Sequence, residues 1–289
     1  MIFMSLLMAI MASAMLNIMS SLFGRYNTEA KNTSYLYSLI VTGSASVTWS
    51  IICLLNEGIR FDAVVYSLIF GLFNTVGMIG MFQAYRIGSV SLTAFIKQIS
   101  LLAVSVWGLL FWGNSFGINI AIGMVLITVA LYLCLKSDKA DFQKPSLSWY
   151  LFALMLLIGN AGASIMQKYQ QITFHGTGGH AFMFFGTAIS FGVSLVLYLK
   201  NFSRRPKNIT KHTLLYPVIA GISSALLNLL VLRLLFSPLS ESIIYPGIAV
   251  GGLCVTMLFS LAVFKERLST RQWFGLLVGA VALVFLNIA

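Results

Sequence analysis

Acidic residues are scarce in this chain: seven Asp and Glu stand against 18 Lys and Arg, and charged residues of both signs make up 9% of the 289 positions. A water-soluble domain needs several times more charge than that to cover its surface, so a soluble globular fold is excluded. Cysteine is also sparse, and Cys53, Cys134 and Cys254 each lie inside an apolar run. An odd number placed in that way excludes a disulfide framework or a structural zinc site and leaves small packing residues. The histidines, His175, His180 and His212, fall in connections, and the first two lack nearby carboxylates or thiolates with which to hold a metal. No metal and no cofactor is expected. The net charge of +11 raises nucleic acid as a partner. No RNA-binding signature, zinc-finger spacing or basic–aromatic interleaving accompanies it, so no nucleic acid is expected either.

What fills the chain instead is apolar: 59% of it is hydrophobic. Ten runs reach the roughly 20 residues that a bilayer-crossing helix needs. They are Ile2–Phe23, Tyr35–Leu55, Val64–Tyr85, Val90–Trp112, Gly117–Leu135, Trp149–Tyr169, Ala181–Leu199, Leu214–Phe236, Ser242–Phe264 and Gln272–Ile288. Helix is the expected form, because backbone groups in lipid must be satisfied within the segment and no run alternates as a barrel strand does. The expected fold class is therefore all-α, a polytopic membrane protein of ten transmembrane helices. Met1 leads directly into the first run with no basic segment before it, so that run reads as a retained span and not a cleaved signal, although Ala12-Ser13-Ala14 mimics a cleavage site.

The basic residues sort by side. Fourteen of the 18 fall in connections that follow odd-numbered runs, from Arg25 and Lys31 to Lys265, Arg267 and Arg271. Only Arg60, Lys168 and Arg233 lie on the other side, and Lys97 lies within a run. The positive-inside rule then places the odd connections in the cytoplasm and both termini outside the cell membrane.

The chain also repeats itself. Ser13, Asn17 and Ser20 recur 147 residues on as Asn160, Ser164 and Gln167, each triplet forming a polar stripe on one helix face. Gly71 and Asn74 recur 150 on as Gly221 and Ser224, with Asn228 extending the face, and the run from Gly123 recurs 152 on from Gly275. Five spans is an odd number, so the second copy must be inverted in the membrane. The expected domains are residues 1–135 and 149–289, joined by a linker at 136–148. Inverted repeats characterise secondary transporters, with substrate held near the midplane.

The segment Phe264-Lys-Glu-Arg-Leu-Ser-Thr-Arg-Gln-Trp-Phe-Gly-Leu-Leu-Val-Gly-Ala-Val-Ala-Leu283 resembles the end of an EamA domain. The first half resembles a degenerate copy, with Asn114 where the second has Glu266. The resemblance covers all ten runs and implies the drug/metabolite transporter superfamily, whose members carry metabolites, amino acids or drugs by exchange or proton coupling. Two features depart from that pattern. Many ten-span relatives keep their termini in the cytoplasm, and small relatives use a first-helix glutamate for proton coupling where this chain offers Asn17.

Within the runs, Lys97 is the one basic residue far from an end, and it shares a face with Thr93 and Ser100. An ionisable group at that depth is costly and points to function, here the neutralising of an anionic substrate group. The competing reading is a stem that snorkels to the interface. Glu241 opens the ninth run near Tyr245 and Pro246 and is the candidate coupling carboxylate; its plainer role is to complement the helix dipole. Asn17, Asn74, Asn160, Gln167 and Asn228 either line a polar cavity or join helices. The substrate-binding set is thus Asn17, Asn74, Thr93, Lys97, Asn160, Gln167, Asn228 and Tyr245. The function expected is transport of a small polar metabolite, an amino acid or organic anion, by a monomer or homodimer in the lipid bilayer. Not an enzyme is the expectation, with two alternatives. One is a drug-efflux transporter of the same fold. The other is an intramembrane serine hydrolase using Ser115 of Gly113-Asn-Ser-Phe-Gly117, a motif that elsewhere needs a preceding strand and a base within reach.

Overall fold

A computed structural model describes residues 2–26, 33–56, 58, 61–62, 64–87, 90–113, 117–135, 146–201, 210–239, 241–264 and 269–287. Among these residues the regular secondary structure is all helix: α1 (Ile2–Tyr26), α2 (Thr33–Asn56), α3 (Val64–Ile87), α4 (Val90–Phe111), α5 (Ile118–Leu135), α6 (Leu147–Thr173), α7 (Gly179–Lys200), α8 (Lys211–Leu235), α9 (Glu241–Phe264) and α10 (Thr270–Asn287). Each expected apolar run is one helix. Six of them, α1, α2, α3, α6, α7 and α8, are long and apolar enough to cross a membrane, as a multi-pass membrane protein requires. The other four carry apolar stretches of 10–17 residues.

The distribution of side-chain size explains why lipid is the solvent these helices suit. On α1 the outward stripe is Phe3, Leu7, Met11 and Met15, all exposed, whereas Ala9, Ala12 and Ala14 are buried. The same inversion marks α6, where Leu151, Leu154 and Ile158 face out while Ala153, Ala161 and Ala163 face in. Association in lipid has little hydrophobic drive, so small residues that let backbones approach are placed inside and bulk is left to the acyl chains. In water such an exposed apolar surface would drive aggregation.

The helices fall into two compact units, each drawing on both halves of the sequence. The first comprises residues 1–75 and 166–236. In it α1 packs on α8, and α2 on α7 and α8. Two glycines set the closest approaches. A Cβ at Gly71 of α3 would lie 2.8 Å from the Gly186 carbonyl and 3.0 Å from the Ile189 side chain, both on α7. A Cβ at Gly221 of α8 would collide with the Val41 carbonyl and the Ser44 side chain on α2. The turn from α6 to α7 is built from His175, Gly176 and Gly178, with φ of 49°, 78° and 68°. Glycine accepts that left-handed backbone without the Cβ penalty. At Gly176 the ring of Phe236 also fills the space a side chain would need. Lys168 Nζ donates to the carbonyl of Leu235, the last residue of α8, at 3.0 Å, so a cation meets the negative end of that helix. At its other end α8 begins in a capping box of Thr210 and Thr213.

The second unit comprises residues 76–165 and 237–289. Here α5 packs on α10, α4 on α9 and α5, and α9 also on α10 and α5. Its core is Leu102, Ile120, Ile127, Leu131, Val250, Leu253, Met257 and Ala282. Gly77 and Gly80 press α3 against α6: a Cβ on Gly77 would sit 3.0 Å from the Asn160 nitrogen, and one on Gly80 would sit 2.7 Å from the Phe152 carbonyl. One turn further, Ala84 shares a cluster with Trp149 and Ala153. The pairing is therefore antiparallel.

Candidate functional site

In the first unit two of the expected amides, Asn74 and Gln167, are engaged with neighbouring helices. Asn74 Nδ2 on α3 donates to Ser190 Oγ on α7 at 2.9 Å, and Ser190 Oγ in turn lies 3.2 Å from the Gly71 carbonyl. The glycine that brings α3 onto α7 also exposes its carbonyl to that serine. Gln167, buried on α6, donates through Nε2 to the Asn228 carbonyl at 3.4 Å and lies 4.0 Å from Met183 Sδ. The Asn228 side chain turns back along its own helix, Nδ2 to the Ser224 carbonyl at 2.8 Å. Asn17 is half-buried on α1. Beyond Gln167, two further glutamines at i+3 and i+4 continue the same face. Gln170 is fully buried and donates to the Thr177 carbonyl at 2.8 Å, while Gln171 donates to Gln170 Oε1. This ladder closes the α6–α7 turn. Sequence reasoning passed over Gln170 and Gln171, although the Gln167-x-x-Gln170-Gln171 spacing is visible in the chain.

In the second unit Thr93 and Ser100 are fully buried on α4, with half-buried Lys97 between them. Thr93 Oγ1 accepts a hydrogen bond from Trp149 Nε1 of α6 at 3.2 Å. Ser100 Oγ donates to the Lys97 carbonyl at 2.6 Å, which keeps that hydroxyl on its own helix. Tyr245 of α9 is buried, and its hydroxyl donates to the Ser164 carbonyl at 3.2 Å. Asn160 is half-buried beside Gly77 and, among the described residues, its side chain makes no hydrogen bond. Glu241 is the first residue of α9 and Pro246 stands inside that helix; the Glu241 side chain lies outside the described residues.

The hydrolase motif also falls outside them, since Asn114, Ser115 and Phe116 are not described. The same holds for Glu266. Of the histidines, His180 lies with its ring 6.2 Å from that of Trp49, and His212 stacks on Tyr216 at 5.3 Å. Among the described residues no three His, Cys, Asp or Glu gather as a metal site would require.

The fold is a recurrent one: 28 solved chains match it. One crystal structure is similar at a TM-score of 0.77 and 12% identity, over 99% of this chain and 96% of that one. No protein-family profile matches the chain, and no curated protein sequence does. Likeness at that identity defines a class by fold alone: a protein that among its described residues is all-α, with ten helices, six of them long and apolar enough to cross a membrane.

Proposed function

We propose that this protein is a secondary transporter that moves a small polar metabolite, an amino acid or organic anion, across the cell membrane by alternating access. All ten helices cross the bilayer in this reading, and residues 1–135 and 149–289 are inverted EamA-like repeats of the drug/metabolite transporter type. The odd-numbered connections face the cytoplasm, and both termini lie outside.

The observation that carries the reading is Lys97. It stands near the middle third of α4, half-buried, between two hydroxyl residues that are wholly buried. An ionisable group at that depth is costly to keep in a membrane-spanning helix and points by default to function. A carboxylate or phosphate on a passing solute is a fitting complement. Asn160, whose side chain makes no hydrogen bond among the described residues, is a further polar group of this unit that a polar solute could engage.

Packing in the first unit supports the repeat. Gly71 approaches α7 at Gly186 and Ile189, and Gly221 approaches α2 at Val41 and Ser44. Gly221 follows Gly71 by 150 residues, and the two pairs they meet, three apart in each case, are separated by a common 145. A single helix-to-helix contact thus occurs twice, with the roles of the two halves exchanged, as a two-fold relation between them requires. A thermal-shift screen of the purified protein against amino acids, organic acids, organic phosphates and cationic drugs tests the substrate class, because a ligand bound only by the folded state raises its apparent stability. Anionic compounds are expected to raise the melting temperature of the wild type and to leave Lys97→Met unmoved. Stabilisation by cationic drugs alone contradicts the proposal.

A further inference from the structure

Alanine at two places on adjoining helices leaves room for one large ring. Ala84 of α3 and Ala153 of α6 are buried in one cluster with Trp149, and Ile96 and Phe152 pack against it. The indole of Trp149 is thus turned inward from α6, and its N–H donates to Thr93 Oγ1 of α4 at 3.2 Å. Thr93 and Ile96 lie three residues apart on one face of α4, so this cluster meets that helix at two positions. Lys97 follows Thr93 by four residues, about 6 Å along the helix and about 40° around it. A long helical side chain leans back over the turn that precedes it, which for Lys97 is the turn carrying Thr93.

On the far side of Lys97, Leu102 is buried in the apolar core that α4 shares with α5, α9 and α10, and Leu109 packs against that core. Lys97 therefore stands between two anchors of different kind. Apolar burial is non-directional and resists separation of the helices more than slip between them. A hydrogen bond is directional and fixes rotation and register. We propose that Trp149 is a positioning residue for the Lys97 site: through Thr93 it sets the register and rotation at which α4 presents the ammonium. The inference rests on the transporter reading, in which that ammonium receives the charge of an anionic solute. A charge–charge contact weakens with distance, so a small turn of α4 lowers affinity for the anion. Trp149 is buried and acts on binding geometry alone, so loss of its N–H raises KM and leaves the maximal rate in place.

Counterflow in proteoliposomes, with KM and maximal rate for one labelled anion measured at equal folded amounts, tests this. Trp149→Phe and Thr93→Val are each expected to raise KM at least about threefold, with the maximal rate within about twofold of the wild type. The double variant is expected to match the singles, because each removes the same bond. Thr93→Ser keeps the acceptor and is expected to recover most of the affinity lost in Thr93→Val. Where Trp149→Phe folds poorly, benzothienylalanine at position 149 takes its place, since it keeps the shape of the indole and lacks the N–H. Gly221→Ala, which overpacks α8 on α2 in the other unit, controls for stability and is expected to keep the wild-type KM. An unchanged KM on loss of the indole N–H overturns the inference; a rise in Thr93→Val alone then shows Thr93 meeting the solute itself. Additive effects in the double variant overturn it as well. The transporter reading survives these outcomes as long as Lys97→Met abolishes anion transport. Equal transport by Lys97→Met and the wild type ends that reading and the inference with it.

Discussion

The indole nitrogen of Trp149 donates to Thr93 Oγ1 at 3.2 Å, with both side chains buried, and so ties the first turn of α6 to the first turn of α4. A hydroxyl expected to meet substrate is engaged in joining two helices. Inter-helix bonds of this sort in membranes contribute about 0.6 to 2 kcal/mol. Thr93→Val leaves the indole N–H buried without an acceptor and is expected to cost about 1–3 kcal/mol. Trp149→Phe removes donor and bulk together. The double variant is expected to be less destabilised than the sum of the two singles, which a double-mutant cycle on thermal unfolding in detergent reads directly.

Glycine contacts give a second stability test. Gly221→Ala drives a methyl into Val41 and Ser44 of α2, and Gly80→Ala drives one into the α6 backbone at Phe152 and Leu156. Each is expected to cost about 1–3 kcal/mol through overpacking. Gly192 of α7 has open space where its Cβ would go. Gly192→Ala is therefore expected to be neutral, or to stabilise by up to about 1 kcal/mol from helix propensity. Melting temperatures of the three variants, measured side by side, separate contact from composition.

Asn74 and Ser190 make a third pair. Their 2.9 Å bond joins α3 to α7, so Ser190→Ala is expected to lower stability by about 1 kcal/mol, and Asn74→Ala by a similar amount. A role confined to packing predicts that substrate affinity, read as the midpoint of ligand-induced stabilisation, is the same in Ser190→Ala as in the wild type. A shift in that midpoint of more than about threefold would show the pair reaching the solute.

Orientation is open to direct test. Single cysteines at Ser203 or Asn208, introduced into a chain whose Cys53, Cys134 and Cys254 are replaced by Ala, report on the basic connection between α7 and α8. The charge distribution predicts labelling by an impermeant maleimide only after the cells are opened. Labelling in intact cells inverts the topology. Labelling of Ser115 by a fluorophosphonate in the same preparation would favour the hydrolase alternative, and none is expected.

The helices were legible because lipid imposes a strong rule. An apolar run of about 20 residues has one way to satisfy its backbone, so Ile2–Phe23 and Trp149–Tyr169 fall inside α1 and α6 without any knowledge of their neighbours. The partners of the polar residues were not legible. Spacing at i, i+4, i+7 shows that Thr93, Lys97 and Ser100 share a face but not what that face meets. Only the folded chain brings Trp149 to Thr93 and Ser190 to Asn74. Gln167 illustrates both halves of this lesson: its stripe was visible, whereas its bond to the Asn228 carbonyl depends on how α6 and α8 pack. The spacing of Gly71 and Gly221 was visible in the sequence, and the folded chain supplied the contact that each glycine makes.

The most direct test is counterflow in proteoliposomes carrying the purified protein, preloaded in turn with unlabelled amino acids, organic acids and organic phosphates, with wild type and Lys97→Met compared at equal folded amounts. Saturable accumulation of at least one labelled anion by the wild type, reduced at least about tenfold by Lys97→Met, is the predicted result. Accumulation that proceeds equally in both proteins, or a wild type that exchanges none of the solutes, contradicts a transporter whose α4 lysine receives the charge of its substrate.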